Sequence, residues 1–536
     1  MKKLKLVCVA IAMACATPTL AGGLLTNTNQ HVAFNRMMSR EASIGIDGVY
    51  YNPAGVVFMG EGHHLAINWQ LAFQTRTINN DYDLFTNNVN NPITPRDFKG
   101  TAFAPVIPSF QYAYNKGKWS FQASFALTGG GGKCTFDDGL GSFEKIVAET
   151  AIAACGLAGV VDQTLGNTLG QPGMEMFTSD QAFGKTGKYS FNSYMHGRQY
   201  YYGLSVGAAY KFCDNFSAFL GVRGVYALTN YYGYVENINV GNMPLYKVLD
   251  PSKETAANIE LSCDQTGVGF TPIIGVDYKT GRWNFSAKYE FKTRIRLKNK
   301  SVNQTPSIGN LPANLANQMT GILTAKFQQA GLPLEQAKQK AENTTNTVLA
   351  DPKVGATMIG LKTQFDQKLN KAIGEYEDGK KIAGDIPAYL ALGLGYRPVD
   401  AVRVNVGFHW FDDKNATSYN NRNKELKRGT LEYNAGVEVD VNKKITLSTG
   451  WQNTNYGLSD EYMDDKSFVV SSNSVAIGGV YHINKKMDLN VAYFHTFYQH
   501  KKTTEKVQLT ADRSLNYSSD YTRNNNVFSV GLDINF

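Results

Sequence analysis

The sequence predicts an all-β protein: a 14-stranded antiparallel transmembrane β-barrel with an N-terminal plug (hatch) and helical outer loops. Three observations predict this fold class. Apolar residues alternate with small or polar ones, short and long connections alternate, and the chain starts with an export signal. Tyr and Phe number 30 and 29, whereas Pro numbers only 16. This composition suits a barrel, because aromatic residues form interfacial girdles and paired strands need N–H donors.

The last residues of the chain show the strand pattern most clearly. Over 528–536 every second residue is apolar, and the chain ends on Phe536, as is typical of outer-membrane barrels. A period of two places one face toward lipid and the other toward a wet lumen. The same alternation occurs in hairpins such as 202–222, 390–410 and 437–451, and we count about fourteen strands over 63–536.

The connections between these strands are sorted by length. Counting back from the C-terminus, taken as periplasmic, every second connection is short. The short connections lie at 484–486, 442–444, 398–400, 279–282, 213–215 and 115–118. The others are longer, and two are very long, near 129–198 and 299–384. Short periplasmic turns and long outer loops are the topology of a membrane barrel, whereas a soluble sandwich has no reason to sort its loops in this way.

Both long loops are predicted to contain helices. Apolar residues have helical spacing over 143–151 and 315–327, and Asp351 and Pro352 start a further helix that extends to Ile373. The apolar stripes either pack the loops against one another and the rim, or also contact a ligand. After the export signal no segment has about 18 consecutive apolar residues, so strands are expected to cross the membrane.

Residues 1–21 have the features of a cleaved signal peptide. The basic start and the apolar core are formed by Lys2, Lys3, Lys5 and residues 6–16. Ala21 closes a cleavage site of small residues. Cys15 leaves a lipoprotein signal as an alternative, although no Leu lies three residues before it. We expect export to the outer membrane of a Gram-negative cell, with the barrel-assembly machinery and outer-membrane lipid as partners.

Residues 22–62 do not alternate, and they precede the first strand. A solvated tail is the alternative, but the segment is too apolar for one, so a hatch inside the barrel is expected. Its most distinctive residues are Asp47, Tyr50, Asn52, Pro53, Ala54 and Gly55. They resemble the hatch of the long-chain fatty-acid transporter family of the FadL/TodX type, in which an Asn-Pro-Ala motif follows an aromatic stretch that contains Asp.

The resemblance continues through the hairpins at 269–296 and 386–412. It implies a fourteen-stranded barrel, which agrees with the strand count. It also implies passive uptake of hydrophobic compounds such as long-chain fatty acids or aromatic hydrocarbons, with the hatch as a gate. The loop near 299–384 is long and Lys-rich, so ligand contacts in that region cannot be transferred from the family.

Four consecutive glycines, Gly129, Gly130, Gly131 and Gly132, follow the third strand. No Lys-Ser/Thr pair follows them, so they are not a phosphate-binding loop. They give the backbone freedom at the end of that strand. In the resembled family a kink in this strand opens the wall sideways, and these glycines are a candidate for the same role.

Two further groups of residues are candidates for a site. Lys288, Lys292, Arg294 and Arg296 occupy the predicted lumen phase of strand seven. They are either ordinary lumen polarity or a cationic site for the carboxylate head group of a ligand. Cys134 and Cys155 are placed in one outer loop, in an oxidising compartment, so a disulfide between them is predicted, with Cys213 unpaired.

No metal, nucleotide or nucleophile motif is present in the sequence, so no metal, cofactor or enzymatic activity is expected. The net charge of +8 is mild and has no aromatic-interleaved basic stripe, so nucleic acid is not an expected partner. A general porin and a surface adhesin remain as alternative functions. A porin would lack the apolar hatch. An adhesin would use the two long loops, and the sequence does not exclude this function.

Overall fold

The computed structural model describes residues 26–306, 308–510 and 513–536. The predicted signal peptide at 1–21 lies outside the described residues. So do the first four residues of the predicted hatch, 22–25.

Fourteen antiparallel strands form one closed sheet in the described part of the chain. Three of them consist of two segments, because the pairing is briefly interrupted. The strands are β1 Gly62–Asp81, β2 Arg96–Lys116, β3 Trp119–Phe136, β4 Tyr189–Lys211, β5 Phe216–Val240, β6 Ile259–Thr280, β7 Trp283–Glu290 and Arg296–Gln304, β8 Lys381–Ala383 and Tyr389–Val399, β9 Val402–Phe411, β10 Thr430–Asn442, β11 Ile445–Asn455, β12 Ser472–Asn484, β13 Met487–Tyr498 and Lys501–Thr510, and β14 Arg513–Asn535.

Pairing of the first strand with the last closes the barrel. β1 and β14 are in register from His64 opposite Asn535 to Asp81 opposite Ser518. Each remaining strand pairs with its sequence neighbours, which is the up-and-down order that the alternation predicted. The predicted fold class is confirmed.

Connection lengths separate the two ends of the barrel. The turn end carries tight links such as those at 117–118, 281–282 and 443–444, and the loop end carries long ones at 137–188 and 305–380. Both long loops are shorter than predicted, because β3, β4 and β7 continue beyond their apolar stretches into polar sequence. The last hairpin is also longer than predicted, since 501–510 is strand. Polar strands beyond the lipid carry no hydrophobic alternation that would mark them in the sequence.

Apolar side chains cover the outside of the wall, as a lipid-facing surface requires. Trp69, Trp119, Trp283 and Trp451 are all exposed, and so are many Phe, Val, Leu and Ile residues on the same strand faces. The inner faces instead carry buried polar residues such as Asn68, Gln111 and Ser217. The outer surface of the barrel is therefore apolar, and its inner surface is polar.

Helices occupy the hatch and the loop end. The hatch holds α1 Val32–Met37, α2 Gly48–Tyr51 and the 3-10 helix Gly55–Phe58. The loops hold α3 Gly141–Leu169, α4 Tyr246–Leu249, α5 Leu311–Gln329, α6 Leu334–Leu349 and α7 Pro352–Ile373, with 3-10 helices at Asp83–Asn87, Gly374–Tyr376, Asp413–Asn415 and Tyr419–Glu425 and a short strand at Met243–Pro244. The side chain of Asp351 accepts a hydrogen bond from the Lys353 N–H, so the predicted cap of α7 is present.

Helix α3 is long and apolar enough, by length and composition, to cross a membrane. It packs instead in an apolar core at the loop end, together with residues of α5, α6 and α7. Asp162 on α3 is buried and accepts hydrogen bonds from the N–H groups of Met176 and Phe177. The helical stripes predicted from the sequence therefore pack the loops against one another.

The orientation of the barrel can be tested with single cysteines, in a variant in which the four cysteines of residues 22–536 are replaced by Ser. Asn346→Cys and Asn516→Cys lie at exposed positions of the loop end, and Asn442→Cys and Asn484→Cys lie at the turn end. We expect an impermeant maleimide to label the first pair on intact cells and the second pair only after lysis. The reverse pattern would refute the assignment of the loop end to the cell exterior.

Candidate functional site

The hatch, residues 26–61, lies inside the barrel, and most of its side chains are buried. Helix α1 packs against the inner faces of β11, β12 and β13, and Gly55–Phe58 packs against β3, β4, β5 and β6. Small residues in the wall permit the close approach of the hatch. At Gly450, for example, a Cβ would lie only 1.7 Å from the carbonyl oxygen of Met37.

A buried network of charges joins the hatch to the wall. Arg36 and Arg40 of the hatch each form an ion pair with Glu438 of β10, at 3.0 Å. Arg40 also pairs with Asp47, at 2.7 Å, so the predicted hatch residue Asp47 is neutralised within the hatch itself. Breaking a buried pair by removing one partner typically costs about 3–5 kcal/mol. These pairs therefore fix the position of the central part of the hatch.

A second polar chain joins the hatch to β9 and β10. Glu41 contacts His409 at 2.7 Å, and the other ring nitrogen of His409 contacts Glu432 at 2.8 Å. All three side chains are buried. The contact holds the hatch to a wall segment separate from Glu438.

The Asn52 to Gly55 motif forms a turn that is bonded on both sides. The Asn52 side chain donates to Asp277 of β6 at 2.6 Å and accepts from the Gly55 N–H at 3.1 Å. The carbonyls of Pro53 and Ala54 accept hydrogen bonds from wall side chains on β3 and β5. The motif therefore shapes the local turn and also attaches it to the wall. Its role as a gate remains a proposal.

Tyr50 lies at the centre of a further group of charges. The Tyr50 carbonyl accepts a hydrogen bond from Lys288 at 2.6 Å, and the Lys288 ammonium lies 4.0 Å from the Tyr50 ring centre. Lys288 also pairs with Glu290 at 2.9 Å, and Glu290 pairs with Arg223 at 2.6 Å. Lys288 is thus used to hold the hatch, and it is sealed beneath it rather than open to a ligand.

The predicted cluster of four cations on β7 does not form in the lumen. Arg294 and Arg296 are exposed. Their neighbours Ile295 and Leu297 are buried and pack in a cluster of inward-facing apolar residues. β7 is interrupted between Glu290 and Arg296, and the inward phase changes by one residue across the interruption. A slip of one residue moves every following side chain to the other face, so the predicted lumen orientation was wrong for these two arginines. Lys292 lies at the interruption and donates to the Asn415 carbonyl at 3.0 Å.

The predicted disulfide is likewise not formed. Cys134 and Cys155 are both free, as are Cys213 and Cys263. Cys134 belongs to β3, which is longer than predicted, and packs in a small apolar cluster with Phe136. Cys155 lies on α3 at the edge of the separate loop-end core. The two residues were assigned to one loop because the polar end of β3 carries no apolar alternation.

The glycine run lies where the wall loses its pairing. β2 and β3 are paired up to Ser109 opposite Ala126 and again from Ala102 opposite Cys134, but not between. On the β4 side the register shifts twice, once on each side of Gly129 and Gly130. At Gly130 φ is +74°, and a Cβ would lie 2.3 Å from the carbonyl oxygen of Gln199, so only Gly fits without strain.

The start of the hatch covers this interruption from inside. Thr26 bridges to Gly129, and the Asn27 side chain donates to the carbonyls of Leu127 at 3.1 Å and Gly130 at 2.8 Å. On the outside, the Trp69 indole donates to the Pro105 carbonyl at 2.8 Å. Backbone groups freed by the missing pairs thus find partners on both surfaces of the wall.

A chamber of about 280 Å³ lies between the hatch, the loops and this part of the wall. Its lining is mixed. Apolar side chains come from Phe34, Met38, Phe136, Met195, Phe468, Phe494 and Val527, and polar side chains, such as those of Gln74, Gln199, Gln452 and Asn525, make up a somewhat larger share. Arg76 of β1 and Arg523 of β14 also line it, and they are directly opposite each other in the register of the two strands. The Arg523 Nε has no hydrogen-bond partner among the described residues. Two adjacent cations on one face repel each other, so this place favours an anion.

This arginine pair was not among the residues predicted from the sequence. Arg76 and Arg523 lie near opposite ends of the chain, and only barrel closure makes them neighbours. The alternation along each strand indicates that Arg76 and Arg523 both face inward. To predict that they are neighbours, the register of β1 against β14 is also required.

Two further cavities lie at the loop end. A narrow apolar cavity of about 60 Å³ is lined by residues of α3, β5 and α7, including Phe143, Val235 and Phe365. A wider groove of about 320 Å³ lies between α3, the loop 456–471 and the last hairpin. Lys466 lines both cavities as well as the chamber. Lys466 therefore lies at a junction that borders all three spaces.

Two carboxyl groups near Lys466 are buried in the loops. Burial, together with repulsion from Asp464, raises the pKa of Asp465 to about 7, against opposing hydrogen bonds from Ser142. Burial also raises the pKa of Glu375 to about 8, although the nearby charge of Lys466 opposes this. Both groups thus change charge near neutral pH, where loop packing becomes sensitive to protonation.

Comparison with solved structures finds this architecture again. A FadL homologue from Pseudomonas aeruginosa matches at 15% identity over 96% of this chain and 100% of that chain, with a TM-score of 0.58. The P. putida toluene transporter TodX matches at 13% identity over 92% and 94% of the two chains, with a TM-score of 0.47. The Ralstonia pickettii toluene transporter TbuX matches at 12% identity over 92% and 94%, with a TM-score of 0.45.

The first of these matches shows that the chain has the FadL-type fold. The fold implied by the resemblance of the hatch is thereby confirmed. No protein-family model matches the sequence, and no curated protein sequence matches it either.

The raised pKa values predict that loop packing weakens with rising pH. A carboxyl group whose pKa is higher in the folded state than in the unfolded state stabilises the fold fully at pH values below its unfolded pKa, which is about 4. This stabilisation is lost as the pH rises to the folded pKa values, about 7 for Asp465 and about 8 for Glu375. We expect trypsin to cleave the loops roughly tenfold faster at pH 9 than at pH 6, after normalisation to a denatured sample.

The double substitution Asp465→Asn with Glu375→Gln should remove most of that difference. Asp460→Asn with Glu335→Gln, which changes two exposed carboxyls, is the matched control and should keep it. Equal pH dependence in both variants would show that other groups govern loop packing.

Proposed function

We propose that this protein is an outer-membrane channel for the passive uptake of hydrophobic compounds, and that its preferred substrates are amphipathic anions such as long-chain fatty acids. The observation that carries the proposal is the chamber above the hatch, in which a group of apolar side chains lies beside polar ones that include Arg76 and Arg523. A hydrocarbon tail fits the apolar side chains, and a carboxylate head group satisfies the two facing guanidinium groups. The FadL-type fold supports the same class of function.

The substrate class is argued from the arginine pair. Two cations placed opposite each other in a partly buried chamber are costly unless an anion joins them. A neutral aromatic hydrocarbon such as toluene, which TodX and TbuX transport, gains nothing from such a pair of cations. This favours a carboxylate ligand over toluene-like compounds.

The cavities suggest a route through the protein. The ligand binds first in the groove beside α3, passes the junction at Lys466, and reaches the chamber. The unpaired region of β2 and β3, with Gly129 to Gly132 beside it, adjoins the chamber and supplies a sideways exit once Thr26 and Asn27 withdraw. No energy source is needed, because the hydrophobic ligand moves down its own concentration gradient.

The two alternative functions are weighed against the same features. A general porin needs an open aqueous lumen, whereas this lumen is occupied by a hatch held by buried ion pairs. A surface adhesin would use the loop-end helices alone and would leave the chamber and its arginines without a role. The uptake hypothesis gives a role to both the loops and the chamber.

The gate can be tested by uptake of labelled oleate in cells that express the protein. Wild type should exceed empty vector, and Asn52→Ala with Pro53→Ala should change uptake severalfold at equal surface abundance, because Asn52 loses its bonds to Asp277 and Gly55. The control, Asn484→Ala with Pro398→Ala at exposed positions of the turn end, should behave as wild type. Admission of small sugars without oleate would establish the porin function instead.

The head-group assignment can be tested by direct binding to the full-length protein in nanodiscs. Arg76→Gln and Arg523→Gln should each weaken binding of oleate about tenfold, since each removes a charge-assisted hydrogen bond, and should leave binding of oleyl alcohol unchanged. Arg282→Gln at an exposed turn is the matched control. Equal losses for oleate and oleyl alcohol would mean that the arginines shape the chamber rather than bind the carboxylate.

A further inference from the structure

The outside of β7 and β8 carries a strip of positive charge beyond the lipid-facing band. The strip consists of Arg294, Arg296, Lys298, Lys300 and Lys381, all of which are exposed. Three of these residues, Arg296, Lys298 and Lys300, alternate along the second segment of β7, and Arg294 continues the alternation just before it. The buried neighbours Ile295 and Leu297 face inward. The basic strip is therefore a property of the outer surface, separate from the chamber and the hatch.

Its height in the wall follows from the residues below it. On the turn-end side of the strip, the outer face of β7 carries Trp283, Phe285, Tyr289 and Phe291. On the neighbouring β6, Phe270 and Val268 lie beside Arg294 and Arg296 and are 70% and 64% exposed, so the apolar surface reaches the turn-end half of the strip. Eight residues separate Trp283 from Phe291, about 26 Å along the strand, and a strand tilt of about 40° turns this into about 20 Å of height, most of the roughly 25 Å apolar band of a barrel. The basic strip thus begins where the hydrocarbon layer ends, on the loop side.

The charges of the strip are only partly balanced by the protein. Lys298 and Lys381 are directly opposite each other in the pairing of β7 with β8, an arrangement that is unfavourable without an anion between them. No ion pair is found for Arg294, Lys298, Lys300 or Lys381 in the described part of the chain. Asp264 faces Lys300 across β6 without an ion pair, and Arg296 is bonded to the buried Asp385 at 2.8 Å.

Aromatic side chains lie farther out on the same side of the wall. Tyr194 and His196 of β4 pack against Tyr232 and Tyr234 of β5, with ring centres 5.6 to 6.2 Å apart. In the register of β5, β6 and β7, Tyr232 lies beyond the level of Lys300. Tyrosine rings on a wet surface are suited to stacking against sugar rings. A ligand with phosphate at one level and sugars above it would match both features.

We propose that the basic strip binds the phosphate groups of lipid A, the anchor of lipopolysaccharide in the outer leaflet. The inference rests on the outer-membrane location and on the loop end facing outward, and it is independent of what the chamber transports. Phosphate oxygens accept hydrogen bonds from Arg and Lys, and an anionic lipid surface attracts such cations strongly. Bound lipid A would seal the wall beside the interrupted part of β7, where the backbone pairing is incomplete.

The test uses the full-length protein in detergent, with lipid A bound at increasing concentration and counted by native mass spectrometry. The test variant is Arg294→Gln, Lys298→Gln, Lys300→Gln and Lys381→Gln, which leaves Arg296 with its internal partner Asp385. The control variant is Lys443→Gln, Lys444→Gln, Lys485→Gln and Lys486→Gln, which removes the same charge from exposed positions of the turn end. Heat-modifiable gel migration confirms that each barrel is folded.

Wild type and control should bind bisphosphorylated lipid A equally, and the test variant should bind it about tenfold more weakly. Lipid A without phosphates should bind weakly to all three proteins. Unchanged binding by the test variant would overturn the proposal. So would equal binding of phosphatidylglycerol with the same loss in the test variant, because that result would indicate a general anionic-lipid surface. A loss in the control variant equal to that in the test variant would reduce the effect to net charge and would overturn the proposal as well.

Discussion

The structure depends on the rule that backbone polar groups in a hydrocarbon layer must be paired. That rule is why β1 pairs with β14 along its whole length, leaving no free strand edge. It also explains the surroundings of the break between β2 and β3, where Pro105 and Pro108 supply no N–H and the ladder stops. There the hatch bonds the wall from inside through Asn27, and Trp69 bonds Pro105 from outside. At this break the partners of the backbone groups come from the hatch and from a tryptophan side chain rather than from the ladder.

The hatch is held unevenly, and this bears on how it could move. Its centre carries the ion pairs of Arg36 and Arg40 with Glu438, and the loss of either partner leaves a charge buried. Its first residues are attached to the wall by the hydrogen bonds of Thr26 and Asn27, which are individually weak. A small displacement at residues 26–29 is therefore far less costly than withdrawal of the whole hatch. The proposed transport through the chamber requires only the smaller movement.

Some residues of the candidate site could be predicted from the sequence, and others could not. The hatch residues Asp47 to Gly55 were recognisable because they are contiguous and interrupt the alternation. Arg76 and Arg523 were not, since the pair exists only after the chain ends meet. Arg294 and Arg296 were placed on the wrong face because a short break reverses the phase of every residue beyond it. Cys134 was placed in a loop because the polar end of β3 gives no periodic signal.

The sequence by itself determined the class of fold, the number and order of the strands, and the end of the barrel at which the long loops lie. Those properties follow from local alternation and from connection lengths, which are written along the chain. Only the tertiary structure decided which inward residues meet, where the wall is unpaired, and which cations face the lumen or the membrane. Barrel closure joins residues hundreds of positions apart, and a single irregularity in one strand shifts the faces beyond it, so no local pattern contains that information.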